Sequence, residues 1–464
     1  MNAAPRTLQQ PVEGQSFPRS FWTANITELF ERGAYYAMAS FVVLYLGQLG
    51  LGDYWPSTLN GLLWTLVYFL PILSGTIADI VGFRKSLLVA FVLLAAGYTL
   101  MGYPVWFGGA EMNPSMGSSM VASSNVIVPV ALAILLIGMG GSIIKPCISG
   151  TVQKTSGKRA TLGFAIFYMI INIGSLTGRG TSYLVRKQFG LSTIFAVAAV
   201  FAVLAFLIVL WLYRDPESEP GYVPSPKSGK SVGQKLADMV LVLTNLRFAL
   251  FLLVSSGFFF LYSQVYNILP LYLKKVVETD PAVDLITMAN PIVIVLFQLL
   301  ITRIFGKMKP IRSMIVGTVI ISLSMAINLV PVLLSGGVRS LPIAGWIPLG
   351  SLFIVLTVAL IAFGELFTSA RGYEYIGALA PKGQEGLFLG YANLPMAIGA
   401  LVGGPAGAAI FNEIMCRDAT KLPSGLLDLD PVWNMTGWGL LMGIGLLSAI
   451  SMWIYNRWLE RHPV

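Results

Sequence analysis

The chain has 464 residues, 56% of them hydrophobic and 12% aromatic, with only 11% charged and a mean hydropathy of +0.75. A water-soluble protein carries about 25% charged residues, so this composition leaves too little polar surface for a water-facing fold and requires lipid as solvent. Backbone amides in lipid must be satisfied internally, which leaves helices or closed barrels. Barrel strands alternate over about ten residues, whereas the apolar runs here reach about 20 or more, so helices are expected. The net charge of +9 invites a nucleic-acid partner, but its placement excludes one. Roughly 19 of the 30 Lys and Arg residues fall in one alternating set of loops and ends, against about seven in the other. By the positive-inside rule that set, with both termini, faces the cytoplasm. Basic groups such as Arg84-Lys85 and Lys154-Lys158-Arg159 then act as topology anchors.

In chain order, residues 1–20 are polar and lack an apolar region with a small-residue cleavage site, so a cytoplasmic tail rather than a signal peptide is expected. Apolar runs of spanning length then predict helices over roughly 21–49, 57–81, 85–105, 126–152, 160–186 and 192–213. The long polar interruption, residues 214–246, opens with Arg214-Asp215-Pro216 and is rich in chain breakers. Its second part, 231–246, is amphipathic and predicts a helix lying on the cytoplasmic surface. Six more runs follow, over roughly 247–274, 281–306, 311–335, 346–378, 384–414 and 434–458. The expected fold is an all-α polytopic membrane protein with twelve transmembrane helices. Residues 21–213 and 247–464 form two six-helix halves joined by a cytoplasmic linker, the layout of a major facilitator fold. The stretches 107–125 and 419–433 read as external loops of no particular chemistry.

The two cysteines, Cys147 and Cys416, are placed inside a helix and near the opposite face, so neither a disulfide nor a metal site is expected. The only histidine, His462, is two residues from the C-terminus. Any proton relay in the membrane therefore falls to carboxylates. No nucleophile triad or metal-ligand cluster points to an enzyme, and no cofactor is expected beyond protons as coupling ion.

The informative residues are charges at depths where each costs about 2.5–3.5 kcal/mol or more: Glu28, Glu31, Arg32, Lys145, Arg179, Glu365, Arg371 and Glu374. Spacings of three and four residues put Glu28, Glu31 and Arg32 on one helical face, continued by Tyr35 and Tyr36. Two carboxylates beside one guanidinium form a site whose proton affinity depends on what else contacts the arginine. That is the chemistry a proton-coupled carrier needs, since a substrate competing for Arg32 leaves a carboxylate to titrate. The alternative is an ion-pair cluster that locks the helix end. Lys145, in a Gly-rich helix and followed by Pro146, lies roughly two turns, or about 10 Å, from the helix end. Either it snorkels or, as the favoured reading, it meets a carboxylate from Glu28, Glu31 or a substrate. Glu365 either faces Arg32 and Lys145 from the second half or pairs privately with Arg371 or Glu374. Gly75, Asp79, Gly82, Arg84 and Lys85, at the join of helices two and three, suit a conformational latch between the halves on the cytoplasmic side.

These residues also resemble a known family. The Gly-x-x-x-Asp-x-x-Gly-x-Arg-Lys run from Gly75 to Lys85 is similar to the signature loop of the major facilitator superfamily. The run Glu28-Leu-Phe-Glu31-Arg32-Gly-Ala-Tyr35-Tyr36 resembles the Glu-x-x-Glu-Arg-Phe-x-Tyr-Tyr motif of proton-dependent oligopeptide transporters. Tyr68-Phe-Leu-Pro71, Lys145-Pro146, the stretch from Phe164 to Leu176, Asn290-Pro291 and Gly364-Glu365-Leu366 with Ser369 agree with that family in order. The resemblance implies a proton-coupled symporter importing di- and tripeptides or peptide-like solutes across the plasma membrane (the inner membrane of a bacterium). A monomer is implied to suffice. Arg32, Tyr35, Tyr36, Tyr68, Lys145, Asn172, Gln264, Asn290, Glu365, Ser369 and Tyr391 would contact substrate. Glu28, Glu31, Arg32 and Glu365 would couple protons, with Arg32 and Lys145 holding a carboxylate and Glu365 an ammonium. The chain departs from the family where Ala39 replaces an arginine, Gly33 a phenylalanine and Tyr391 a tryptophan, and where Gln264 stands at or beside a position that is often acidic. The linker is also too short for the pair of extra helices of bacterial members. These departures favour a second reading, a major facilitator transporter of another small organic solute, whether importer or drug exporter.

Overall fold

The computed structural model describes residues 16–156, 159–219, 241–335, 347–379 and 391–462, together with positions 234, 237, 343 and 344. The first half contains α1 (Arg19–Ala39) and α2 (Val42–Gln48), α3 (Trp55–Phe69) and α4 (Pro71–Val81), α5 (Phe83–Trp106), α6 (Ser124–Ser156), α7 (Ala160–Phe189) and α8 (Thr193–Trp211). The second contains α9 (Leu246–Ser263) and α10 (Ile268–Tyr272), α11 (Val283–Thr287) and α12 (Ala289–Phe305), and α13 (Pro310–Ala326) with α14 (Leu329–Ser335). It closes with α15 (Leu349–Leu379), α16 (Leu394–Ala409) and α17 (Pro431–Arg461). Pairs such as α1–α2 and α3–α4 are single spans with a bend, so the described helices make twelve spans. Short antiparallel hairpins join β1 (Ile343–Ala344) to β2 (Ile347–Pro348) and β3 (Thr420–Lys421) to β4 (Leu427–Asp428). The second hairpin lies in a stretch expected to be plain loop. The surface helix expected over 231–246 and the start of the eleventh span at 384 fall largely outside the described residues.

Local chemistry sets the boundaries. Proline occupies the first turn of α3, α4, α13, α16 and α17, where its missing N–H has no intrahelical partner to lose. Asn245 caps α9 by accepting from the Phe248 amide at 3.2 Å, and Asp430 caps α17 by accepting from Val432 and Trp433. Gly82, with φ of +97°, makes the abrupt join of α4 to α5 that a residue with a Cβ resists. Among the described residues, eleven spans are long and apolar enough to cross a membrane. The first is not among them, since Glu28, Glu31 and Arg32 dilute its apolarity, yet α1 is buried against α6, α7 and α8. The seventh span is broken at 264–267, which periodicity alone does not anticipate. Asn60 on α3 repairs the break by donating to the Tyr266 carbonyl and to Asn267 Oδ1 at 3.3 and 3.0 Å.

The halves meet where α3 packs on α16, α7 on α11 and α12, and α2 on α10. Small residues permit the closest approach. A Cβ on Gly61 would stand 2.5 Å from the Ala400 carbonyl oxygen, and one on Gly404 2.3 Å from that of Ser57. The end of the bundle remote from the termini is tied by polar contacts across the halves. Lys275 pairs with Asp53 at 2.7 Å, Tyr54 donates to Glu413 at 2.6 Å, and Arg186 binds Asp280 and Asp284, each at 3.2 Å. Lys187 also donates to Asp280. Partial burial raises the Asp280 carboxyl, but the Lys187 hydrogen bond and the charges of Lys187 and Arg186 outweigh it and hold the group below the ordinary aspartate range. A carboxylate held low supports the clasp above that range and loses its contribution as pH falls through the lowered value, so the clasp is intact at neutral pH.

Overpacking a glycine contact of this kind costs about 1–3 kcal/mol, enough to move the accessible population about tenfold. Gly404→Val is therefore expected to speed maleimide labelling of Asn60→Cys about tenfold in purified protein carrying Cys147→Ser and Cys416→Ser. An unchanged labelling rate would show that the glycine contact does not hold this end shut.

Candidate functional site

Halfway along α1, Glu28, Glu31 and Arg32 turn into the bundle together and are at most 2% exposed. Arg32 donates through Nε and one terminal nitrogen to the two Glu31 oxygens at 2.5 and 2.7 Å, a forked pair. Glu28 Oε1 stands 3.5 Å from Arg32 Nε, and neither Glu28 oxygen receives a hydrogen bond from the described residues. The Arg32 guanidinium also lies over the rings of Tyr35 and Tyr36, at 5.1 and 6.0 Å. Facing them from α6, Lys145 turns inward, with Nζ 4.9 Å from the Tyr68 ring centroid. Among the described residues no carboxylate stands within salt-bridge distance of Lys145. Its electrostatic neighbours are Arg32, Glu28, Glu31 and, from the other half, Glu365.

Glu365 on α15 accepts from Asn290 Nδ2 at 3.0 Å, with Tyr262 and Ser369 beside the same side chain. Arg371 instead bonds Glu374 at 2.6 Å and the Phe305 carbonyl, so the private pairing considered for Glu365 is not the arrangement found. Asn172 donates to the Tyr168 carbonyl at 2.9 Å, and Tyr168 packs against the apolar group of Ile294, Leu366 and Phe367.

Two expected contact residues are placed elsewhere. Gln264 is fully buried and donates to the carbonyls of Phe260 and Gly403, with Oε1 pressed against Gly407 of α16. It belongs to the helix break and the α9–α16 packing rather than to the charged cluster. Tyr391 lies just before α16 with its ring 5.9 Å from Phe248, at the end of the bundle that carries the termini. The expected latch is joined within its own half. The Arg84 amide donates to Asp215 at 2.8 Å, its guanidinium to the Leu210 carbonyl at 2.7 Å, and Gly75 abuts Pro146. Lys85 is exposed, and the Asp79 side chain falls outside the described residues.

Sequence reasoning singled out Tyr35 and Tyr68 but passed over Trp64, Tyr262 and Tyr266, which complete an aromatic wall between the halves. Trp64 lies within 4.7–6.3 Å of Tyr35, Tyr68, Tyr262 and Tyr266. These residues stand in apolar runs where lipid-facing and cavity-facing aromatics look alike, so their one legible signal was the hydroxyl of each tyrosine. Arg179, noted only as a costly charge, lies over Tyr36 with its guanidinium carbon 4.4 Å from the ring centroid.

Known proteins resemble the chain along nearly its whole length. Dipeptide and tripeptide permease B of Shigella dysenteriae is 24% identical, with 96% of each chain covered. Dipeptide and tripeptide permease A of Klebsiella pneumoniae is also 24% identical, covering 93% of this chain and 90% of its own. Among solved structures, a POT family transporter in complex with 5-aminolevulinic acid matches with a TM-score of 0.72 at 18% identity, covering 97% of this chain and 98% of its own. The peptide transporter POT in complex with sulfate matches at 0.71 and 19%, covering 98% and 97%. The family model of the Major Facilitator Superfamily matches residues 21–342. With twelve spans in two halves that enclose a charged and aromatic centre, the chain is a multi-pass membrane protein and belongs to the Major Facilitator Superfamily.

Proposed function

We propose that this chain is a proton-coupled secondary active symporter that imports short peptides or peptide-like solutes by alternating access. The observation that carries the reading is the opposition of Lys145 and Glu365 across the two halves, with no carboxylate in reach of Lys145 among the described residues. An amphoteric solute supplies both missing partners. Its carboxylate suits Lys145 and Arg32, and its ammonium suits Glu365 beside Asn290. The wall of Trp64, Tyr68, Tyr262 and Tyr266 accepts apolar side chains of varied shape, with hydroxyls for the peptide backbone. The similarity to dipeptide and tripeptide permeases supports the same substrate class.

Coupling follows from Arg32. While it is forked onto Glu31 it serves as counter-ion for both acids of its face. A substrate carboxylate that draws the guanidinium away leaves Glu31 and Glu28 without their cation in low dielectric, and a proton is the replacement. Glu28, whose oxygens receive no hydrogen bond from the described residues, is suited to carry that proton. Proton and substrate are then linked, and the linkage is reciprocal. The excess of Lys and Arg at one set of ends supports a topology with both termini in the cytoplasm and the clasp of Asp53, Lys275, Arg186 and Asp280 outside. The membrane is the plasma membrane (the inner one of a bacterium), and a monomer suffices without a cofactor. A different amphoteric solute is the second reading. It is favoured by Ala39, which leaves α1 with one buried cation, and by the similar fold solved with 5-aminolevulinic acid.

An inward proton gradient imposed on proteoliposomes is expected to drive accumulation of an amphoteric or peptide substrate. A gradient that accelerates none of them would overturn the reading. Glu31→Gln and Arg32→Ala are each expected to abolish gradient-driven uptake while the protein stays folded in the membrane, and retained concentrative uptake in both would remove the coupling mechanism. Lys145→Ala is expected to weaken affinity for free-carboxylate substrates about tenfold, the loss of one charge-assisted hydrogen bond. Esterified analogues should change little, and equal losses for both would make Lys145 structural.

A further inference from the structure

Among the described residues three guanidiniums are buried, and two of them have acidic partners. Arg32 pairs with Glu28 and Glu31, and Arg186 with Asp280 and Asp284. Arg179, two turns before Arg186 on α7, is 0% exposed, and among the described residues no carboxylate lies within salt-bridge distance of it. Its hydrogen bonds go to neutral hydroxyls. Nε donates to Thr287 Oγ1 at 3.1 Å, one terminal nitrogen to the Tyr266 hydroxyl at 3.1 Å, and the other to Ser175 Oγ. Tyr266 and Thr287 belong to the second half, where Thr287 also meets Ser40 of the first. A buried guanidinium left on neutral partners is poorly compensated compared with one on a carboxylate. Tyr36, half-buried in the central site, lies beneath both Arg179 and Arg32, so the two cations flank one ring.

We propose that Arg179 is a carboxylate-binding, specificity-determining residue that exchanges partners during the cycle. With the clasped end closed, it holds Tyr266 and Thr287. When that end opens and the second half withdraws those two hydroxyls, the guanidinium takes the carboxylate of the entering solute beside Tyr36. Substrate arrival and release of the cross-half bonds thereby become one event, and a solute without an anionic group does not complete the exchange. Arg179 then supplies the second carboxylate-binding cation from α7, where α1 offers only Ala39. This inference rests on the amphoteric-substrate reading and adds the residue that first receives the anion.

The test is competition of dialanine and dialanine amide for uptake in proteoliposomes, with wild type, Arg179→Gln, Arg179→Lys and the double variant Tyr266→Phe/Thr287→Val. Arg179→Gln is expected to raise the inhibition constant for dialanine at least about tenfold, as loss of a charge-assisted bond does, and to leave that of the amide within a factor of about two. Arg179→Lys should restore part of the preference. The double variant removes the two cross-half neutral partners but keeps the cation and Ser175, and should keep the preference for the free carboxylate. A double variant that reproduces Arg179→Gln, or an Arg179→Gln protein that keeps the wild-type preference, overturns the proposal and leaves Arg179 as a clasp between halves. Should Arg179→Gln fail to fold, an Arg179→Lys protein with unaltered dialanine affinity, alongside a double variant that has lost its preference, overturns it equally. A wild type indifferent to the carboxylate instead overturns the amphoteric-substrate reading itself, which separates the two failures.

Discussion

An ion in a low-dielectric interior must find its counter-charge inside the protein, and the forked pair of Arg32 with Glu31 is where this constraint is met most fully. The pair keeps α1 in the centre of the first half although its charges make it too polar to stand in lipid alone. It also makes α1 depend on α6, α7 and α8, which shield it. Among the described residues, the same pair leaves Glu28 close to a cation but without a hydrogen bond, and Lys145 facing Glu365 without a carboxylate in reach. Part of the charge in the centre is thus balanced by position, and the balance shifts with whatever enters.

The second dependence is on close approach. Gly61 against Ala400 and Gly404, with the polar clasp around Asp53, Lys275, Arg186 and Asp280, brings the halves together at the end remote from the termini. Asn60 reaches across to satisfy the broken seventh span. A helix break at membrane depth is tolerable because it is covered by the other half, so the break and the interface sustain each other. An opening at this end must supply new partners to the groups it exposes. Arg179, whose cross-half partners are hydroxyls, has the least to lose by exchanging them for an anion.

Several charges that look equivalent along the chain end in different roles. Arg371 and Glu374 neutralise each other near the end of α15, and Arg84 ties α5 to the last helix of its own half. Gln264 fills the α9–α16 contact although the family resemblance implies a place among substrate residues. The cost of a membrane charge marks each as unusual, but whether it is answered by a neighbour one turn away or by a group from another helix is a matter of packing.

Twelve spans in two halves were legible in the sequence because lipid imposes a length and an apolarity that composition cannot disguise. The face shared by Glu28, Glu31, Arg32, Tyr35 and Tyr36 was legible because helical spacing is local. The bends at Ser40 and Met288 and the break at 264–267 were not, since helical turns and interrupted turns share the same apolar residues and the choice depends on groups such as Asn60 far away in the chain. Nor was the aromatic wall, because Trp64, Tyr262 and Tyr266 acquire their meaning only where two halves, about 200 residues apart in sequence, face one another. The sequence by itself determined the solvent, the number of spans and the residues that carry charge into the membrane. The tertiary structure alone decided which of those charges are neutralised at home and which, like Lys145 and Arg179, have no carboxylate in reach among the described residues, because electrostatic compensation is settled by distance in space rather than by spacing along the chain.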